Sequence, residues 1–112
     1  MRKKIFWVLV LTLLFPAVTA QASDVTLTVV NSTGFTVLHV YVSPAKAGAW
    51  GSDMLGNAVL EDGESLAVRV RNGARYDIRL VDVDGDTYTK VNWGSTTGSG
   101  NWRATFTPKD ID

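Results

Sequence analysis

The stretch ESLAVRVRNGARYDIRLVDVDGDTYTKVNW, residues 64–93, decides the fold class. In residues 64–71 the apolar Leu66, Val68 and Val70 alternate with Ala67, Arg69 and Arg71, and in residues 75–83 Tyr76, Ile78 and Leu80 alternate with Asp77 and Arg79. A period of two places each set on one face of an extended strand, whereas a helix would need apolar residues every three to four positions. Asn72-Gly73 and Asp84-Gly85 fall between these runs, and Asn-Gly and Asp-Gly are dipeptides that close tight hairpins. The expectation is a three-stranded meander over residues 64–93, with a type I′ turn at Asp84-Gly85.

The same period continues outward. Residues 24–31 set Val25, Leu27 and Val29 against Thr26 and Thr28, and Asn31-Ser32-Thr33-Gly34 reads as a turn. Residues 35–43, FTVLHVYVS, are apolar on both faces, which predicts a central strand covered on two sides, ended by Pro44. Residues 44–63 carry Gly48, Gly51, Gly56 and Gly63 and no sustained helical period; within them residues 54–60 read as a short strand or a single turn. A Gly/Ser/Thr loop over 94–100 leads to a last strand over 101–107, stopped by Pro108. Short alternating runs at this spacing predict an all-β domain, a small antiparallel β-sandwich or open barrel of six to seven strands.

Residues 1–22 follow a different logic. Arg2, Lys3 and Lys4 precede an apolar run over 5–15 that is too short for the ~20 residues a membrane span requires. Pro16 and small residues follow, and Ala20-Gln21-Ala22 fits a signal-peptidase site, with Val18-Thr19-Ala20 an alternative. A cleavable signal peptide over 1–22 is therefore expected, followed by a single β-domain over 23–112 that is periplasmic or extracellular and has no membrane span after cleavage. Loss of Arg2, Lys3 and Lys4 leaves 8 of the 11 basic residues against 11 acidic ones, a net charge of −3. A mildly acidic domain with arginines scattered along its sequence argues against a nucleic-acid partner.

Chemistry-bearing residues are sparse. With no cysteine and His39 as the sole histidine, thiol proteases and structural zinc sites are excluded. His39 lies mid-strand, where a packed or hydrogen-bonded histidine is expected. Ser43-Pro44-Ala45-Lys46 spells S-x-x-K without the partner motifs of penicillin-recognising enzymes, and no G-x-S-x-G elbow is present. Asp82, Asp84 and Asp86 place three carboxylates at alternate positions, a donor set suited to Ca²⁺. Their spacing is not that of an EF-hand, because Gly85 is fourth rather than sixth and Trp93 stands at the twelfth position. The competing expectation is a plain turn with its aspartates in water. Trp93 and Trp102 flank the 94–100 loop and are expected to close one end of the sheet. Asn31-Ser32-Thr33 fits a glycosylation acceptor.

Asn31-x-Thr33-Gly34, Val40-Tyr41-Val42-Ser43-Pro44, Trp50-Gly51-x-Asp53-x-Leu55-Gly56 and the run from Tyr76 through Asp86 together resemble a group of small secreted bacterial proteins of uncharacterised function. The resemblance spans residues 31–88 and implies a compartment outside the cytoplasm and a single β-domain, with no mechanism. Members of that group often carry a cysteine pair near Arg75 and after the Asp-rich hairpin; this chain has no cysteine, so no disulfide is implied.

The resulting expectation is a non-catalytic binding or envelope-accessory domain with no cofactor, whose partner is a protein or a carbohydrate. Its binding surface is expected on the irregular segment 43–55, centred on Trp50 and Asp53, because loops held on a rigid sheet commonly carry function. The alternatives are a Ca²⁺-dependent module using Asp82, Asp84 and Asp86, and a small secreted hydrolase built around His39.

Overall fold

The computed structural model describes residues 24–94 and 102–112. The expected signal peptide lies outside the described residues, as does most of the 94–100 loop. The described residues form an all-β fold: β1 (Asp24–Asn31), β2 (Val37–Pro44), β3 (Ser65–Arg71), β4 (Tyr76–Asp82), β5 (Thr87–Trp93) and β6 (Trp102–Phe106), followed by a 3-10 turn at Pro108–Asp110. Among the described residues no helix is long and apolar enough to cross a membrane. Six strands form two three-stranded sheets, ordered β3–β1–β6 and β2–β4–β5.

The period of two explains what each sheet buries. Leu27, Val29, Val70, Trp102, Ala104 and Phe106 from the first sheet share one core with Val40, Val42, Ile78, Leu80 and Tyr88 from the second. Val37, Leu55 and Leu60 join that core, and Val25, Leu66, Val68, Tyr76 and Trp93 pack against it. In the absence of any cysteine, this apolar contact provides the cohesion a disulfide would otherwise supplement.

Three sequence expectations are corrected by the strand order. Residues 64–93 are not one meander, because β3 pairs with β1 and β4 pairs with β2 and β5. At the Asn72-Gly73 corner, Ala74 N–H donates to Arg71 C=O and only Gly73 takes a positive φ, of 84°. A type I′ hairpin needs positive φ at both central residues. The corner carries the chain across to the other sheet, and the apolar faces of β3 and β4 then meet through the core instead of lying side by side. The Arg71 N–H donates to the Tyr76 hydroxyl at 2.8 Å and ties the corner.

Second, β2 is an edge strand, and β4 is the central one. Its double-sided apolarity has another cause: the irregular segment after Pro44 folds back over its outer face and free edge. Met54 N–H donates to Val40 C=O at 2.7 Å, and Val37 and Leu60 exchange two backbone hydrogen bonds. Residues 54–60 therefore make turns and one isolated bridge rather than a strand. Third, three ladders are antiparallel, but β1 and β6 run parallel, with Val29 opposite Ala104.

The buried corner after β1 is polar. Asn31 and Thr33 are almost wholly buried. The Asn31 amide donates to the carbonyls of Phe35 (2.8 Å) and Leu60 (2.9 Å), and its oxygen accepts from the N–H (3.1 Å) and hydroxyl (2.7 Å) of Thr33. Each donor and acceptor of that side chain is used, as a buried amide requires. The expected glycosylation acceptor is thus a structural residue whose amide nitrogen is sealed in the fold.

Candidate functional site

The outer face of β2–β4–β5 carries His39 and Tyr41 on β2 beside Arg79 on β4, with Tyr41 directly opposite Arg79. Trp50, from the irregular segment, lies over this row. Its ring sits 6.3 Å from that of Tyr41, and the Arg79 guanidinium rests 4.8 Å from the Trp50 ring centre. Arg79 is aimed by a hydrogen bond of 3.1 Å from Nε to the Thr89 hydroxyl on β5. A planar cation held on an indole face keeps its charge while covering apolar surface, which fixes the tryptophan's orientation. The His39 ring stacks on Tyr41 in turn, at 6.1 Å.

Asp53 fastens this arrangement. One carboxylate oxygen accepts from the backbone N–H of Val40 (3.0 Å) and of Leu55 (2.9 Å), and the other lies 2.8 Å from His39 Nδ1. Partial burial alone would raise its carboxyl, but the hydrogen bonds from His39, Val40 and Leu55 outweigh that cost and hold it below the ordinary aspartate value. His39 is 45% exposed at its side chain and paired with a carboxylate, not packed among aliphatic groups. Both predicted binding residues therefore fall on this face with different parts: Trp50 presents an aromatic ring, and Asp53 clips its loop to the edge of β2.

Next to Trp50 is a depression of about 170 Å³ lined by Ser43, Gly48, Ala49, Trp50 and Asp77. Asp77, on β4, was not singled out from sequence. Its carboxylate accepts the Asn92 N–H at 2.8 Å and, at a long 3.5 Å, the Lys46 N–H. Lys46 (φ 67°) and Asn92 (φ 52°) are the two non-glycine residues with positive φ among the described residues. One carboxylate thus holds both left-handed positions, Lys46 in the irregular segment and Asn92 near the end of β5.

The Asp-rich hairpin is built differently from expectation. Asp84 keeps a negative φ and only Gly85 is positive, at 83°. Gly85 N–H donates to Asp82 C=O and Asp82 N–H to Asp86 C=O, both at 3.0 Å. This is a three-residue loop with a left-handed glycine rather than a type I′ turn. Asp82 is 1% exposed, while Asp84 and Asp86 face solvent. One Asp82 oxygen accepts the N–H groups of Asp84 (2.9 Å) and Asp86 (3.0 Å), and the other accepts the Tyr88 hydroxyl (2.8 Å). Burial, followed by the bond to Asp82 and its charge, pushes the Tyr88 phenol up to about 12. The three carboxylates offer oxygens within 4.8 Å of one another, close enough to share a cation, but both oxygens of Asp82 already serve the turn.

Elsewhere, Trp93 and Trp102 meet edge to face at 5.9 Å, with Trp102 buried. The tail clamps β5: Asp112 N–H donates to Thr87 C=O, and its carboxylate accepts the hydroxyls of Thr87 (2.7 Å) and Thr89 (2.6 Å). A scan against protein-family models finds no match, and searches of curated proteins and of solved structures find none either.

Proposed function

We propose that this chain is a non-catalytic binding domain, working in the periplasm or outside the cell, that holds a sugar ring on the outer face of β2–β4–β5 against Trp50. The observation that carries this reading is the depression beside Trp50, which joins an indole wall to the Asp77 carboxylate and Ser43. Sugar rings present C–H groups to an aromatic face and hydroxyls to a carboxylate at the same time. The volume suits one ring or one side chain and is smaller than the ~300–1,000 Å³ of pockets for drug-sized ligands. The site is also preformed, since Arg79 orients Trp50 and Asp53 pins its loop.

A panel of mono- and oligosaccharides titrated into isotopically labelled protein tests it. The expected result is a set of backbone and indole shifts confined to Ser43, Gly48, Trp50 and Asp77, and lost in Trp50→Ala. Shifts in none of these residues with any glycan, or shifts that survive Trp50→Ala, would refute it.

A second reading, a Ca²⁺-dependent module, has one favourable observation: the convergence of Asp82, Asp84 and Asp86 oxygens within 4.8 Å. The engagement of Asp82 in its own turn weighs against it. A cation that binds only the folded chain must raise the melting midpoint. Identical midpoints in millimolar Ca²⁺ and in EDTA would remove this reading.

A further inference from the structure

The face of the molecule opposite the Trp50 site concentrates positive charge on a chain whose acidic residues outnumber its basic ones outside residues 1–22. Outward positions of β3–β1–β6 follow from the register: Arg71 stands opposite Asp24, Arg69 opposite Thr26, Ala67 and Arg103 on either side of Thr28, and Ser65 and Thr105 on either side of Val30. Arg69, Arg71 and Arg103 are all exposed. Among the described residues Asp24 is the one acidic side chain at these strand positions, and its contact with Arg69 is a loose 3.9 Å between two well-exposed groups. Arg71 and Arg103 have no carboxylate partner among the described residues.

The acidic residues gather elsewhere. Val83 N–H donates to Thr36 C=O, the Thr36 hydroxyl to Glu61, and Gly34 N–H to Asp62. These bonds bring Glu61 and Asp62 to the same end of the molecule as the Asp-rich hairpin. Three of the arginines that look scattered along the sequence, Arg69, Arg71 and Arg103, therefore share one surface, on which Asp24 is the one carboxylate at the outward strand positions.

We infer that the outer face of β3–β1–β6 is a docking surface for an acidic polysaccharide, in which Arg69, Arg71 and Arg103 pair with carboxylates of the polymer while Thr26, Thr28 and Thr105 bond to its hydroxyls. Strand geometry sets the pitch. Residues two apart on a strand lie ~7 Å apart, and β3 and β6 are two strand spacings, ~10 Å, from each other, so the three arginines span roughly 7–17 Å. A guanidinium matches a carboxylate in a planar, two-pronged bond. The hydroxyl-bearing residues between the arginines suit a polymer that alternates charge with hydroxyls. No aromatic side chain stands at these positions to stack a nucleobase, as single-stranded nucleic acid would use. Val30 and Ala67 are the apolar side chains at these positions, too little apolar surface to enter a bilayer. The inference is independent of the Trp50 reading, because the two sites lie on opposite faces.

The test titrates the protein with sodium polygalacturonate by calorimetry in about 20 mM and about 500 mM salt, conditions that change the screening length several-fold. Binding is expected at low salt and is expected to weaken at least about tenfold at high salt. The double variant Arg69→Gln/Arg103→Gln should lose at least about tenfold in affinity, given that exposed charge-assisted pairs carry the contact. Trp50→Ala, which lacks the indole of the other face, should bind polygalacturonate as the parent does and should not bind neutral dextran. All three arginines are exposed, so the variants should keep the parent's melting midpoint. The inference is overturned by absence of binding at low salt, by unchanged affinity in Arg69→Gln/Arg71→Gln/Arg103→Gln, or by loss of polygalacturonate binding in Trp50→Ala. Tighter binding to duplex DNA or to phosphatidylglycerol vesicles than to polygalacturonate would also overturn it, assigning the face to a different polyanion.

Discussion

Replacing Tyr88 with phenylalanine removes one oxygen from the core, and the structure says how the loss should depend on pH. The Tyr88 hydroxyl is buried and donates to Asp82 at 2.8 Å. A hydrogen bond to a charged acceptor contributes roughly 1.5–3 kcal/mol, so Tyr88→Phe should destabilise by about 2 kcal/mol at pH 7. Burial and the neighbouring carboxylate raise the phenol from 10.0 to about 12. A group bound more tightly to its proton in the folded state gives its full contribution below the unfolded value, near 10, and loses it as pH rises toward the folded value. A two-unit shift corresponds to about 2–3 kcal/mol, so the wild type should lose most of that between pH 10 and 12. The phenylalanine variant has no such group to lose. Urea denaturation followed by circular dichroism at steps from pH 7 to 11.5 should therefore show the two proteins converging. A gap that stays constant across that range would refute the raised phenol that burial and the Asp82 carboxylate give Tyr88. Absorbance at 295 nm gives a parallel check, since one of the three tyrosines should ionise late in the wild type and not in the variant.

Further expected outcomes concern separate parts of the molecule. Asn31→Ala deletes four hydrogen bonds, three of them buried, and should cost about 3 kcal/mol, measured by urea denaturation. Asp53→Asn keeps an acceptor for Val40 and Leu55 but loses the charge; it should cost about 1 kcal/mol at pH 7. Because the folded Asp53 carboxyl lies below its unfolded value, its contribution is present above about pH 4 and fades as pH falls further, so the variant and the wild type should converge in acid. Lys46→Gly should relieve a left-handed backbone and raise stability by up to about 1 kcal/mol, read as a higher melting midpoint.

The strands were legible because alternation is a local property. Leu66, Val68 and Val70, like Tyr76, Ile78 and Leu80, announce an inner face regardless of which strand lies alongside. Partner choice was not legible, since Asn72-Gly73 supports either a hairpin or a crossing between sheets, and the outcome depends on faces that meet only in the folded chain. The parallel pairing of β1 with β6 leaves no mark on either segment for the same reason. At the site, Trp50 stood out as a large aromatic in a loop, and Asp53 through its place beside it. Asp77 did not, because an outward carboxylate on an alternating strand looks like ordinary solvated surface until Lys46 and Asn92 are seen to fold onto it. The sequence offers Asp82 as one of three equal carboxylates, in a Ca²⁺ donor set or a solvated turn, yet the strand's phase sends it inward to Tyr88 and its neighbours outward.

The parallel ladder between β1 and β6 has a consequence for how the chain comes into being. A polypeptide that emerges amino end first presents β1 before any other described strand and its partner β6 after all the others. Until then β1 has one flank open, and the long excursion between the two makes their joining a late and comparatively slow event. Such a nascent chain stays pliable until its closing strand arrives, and then sets firm.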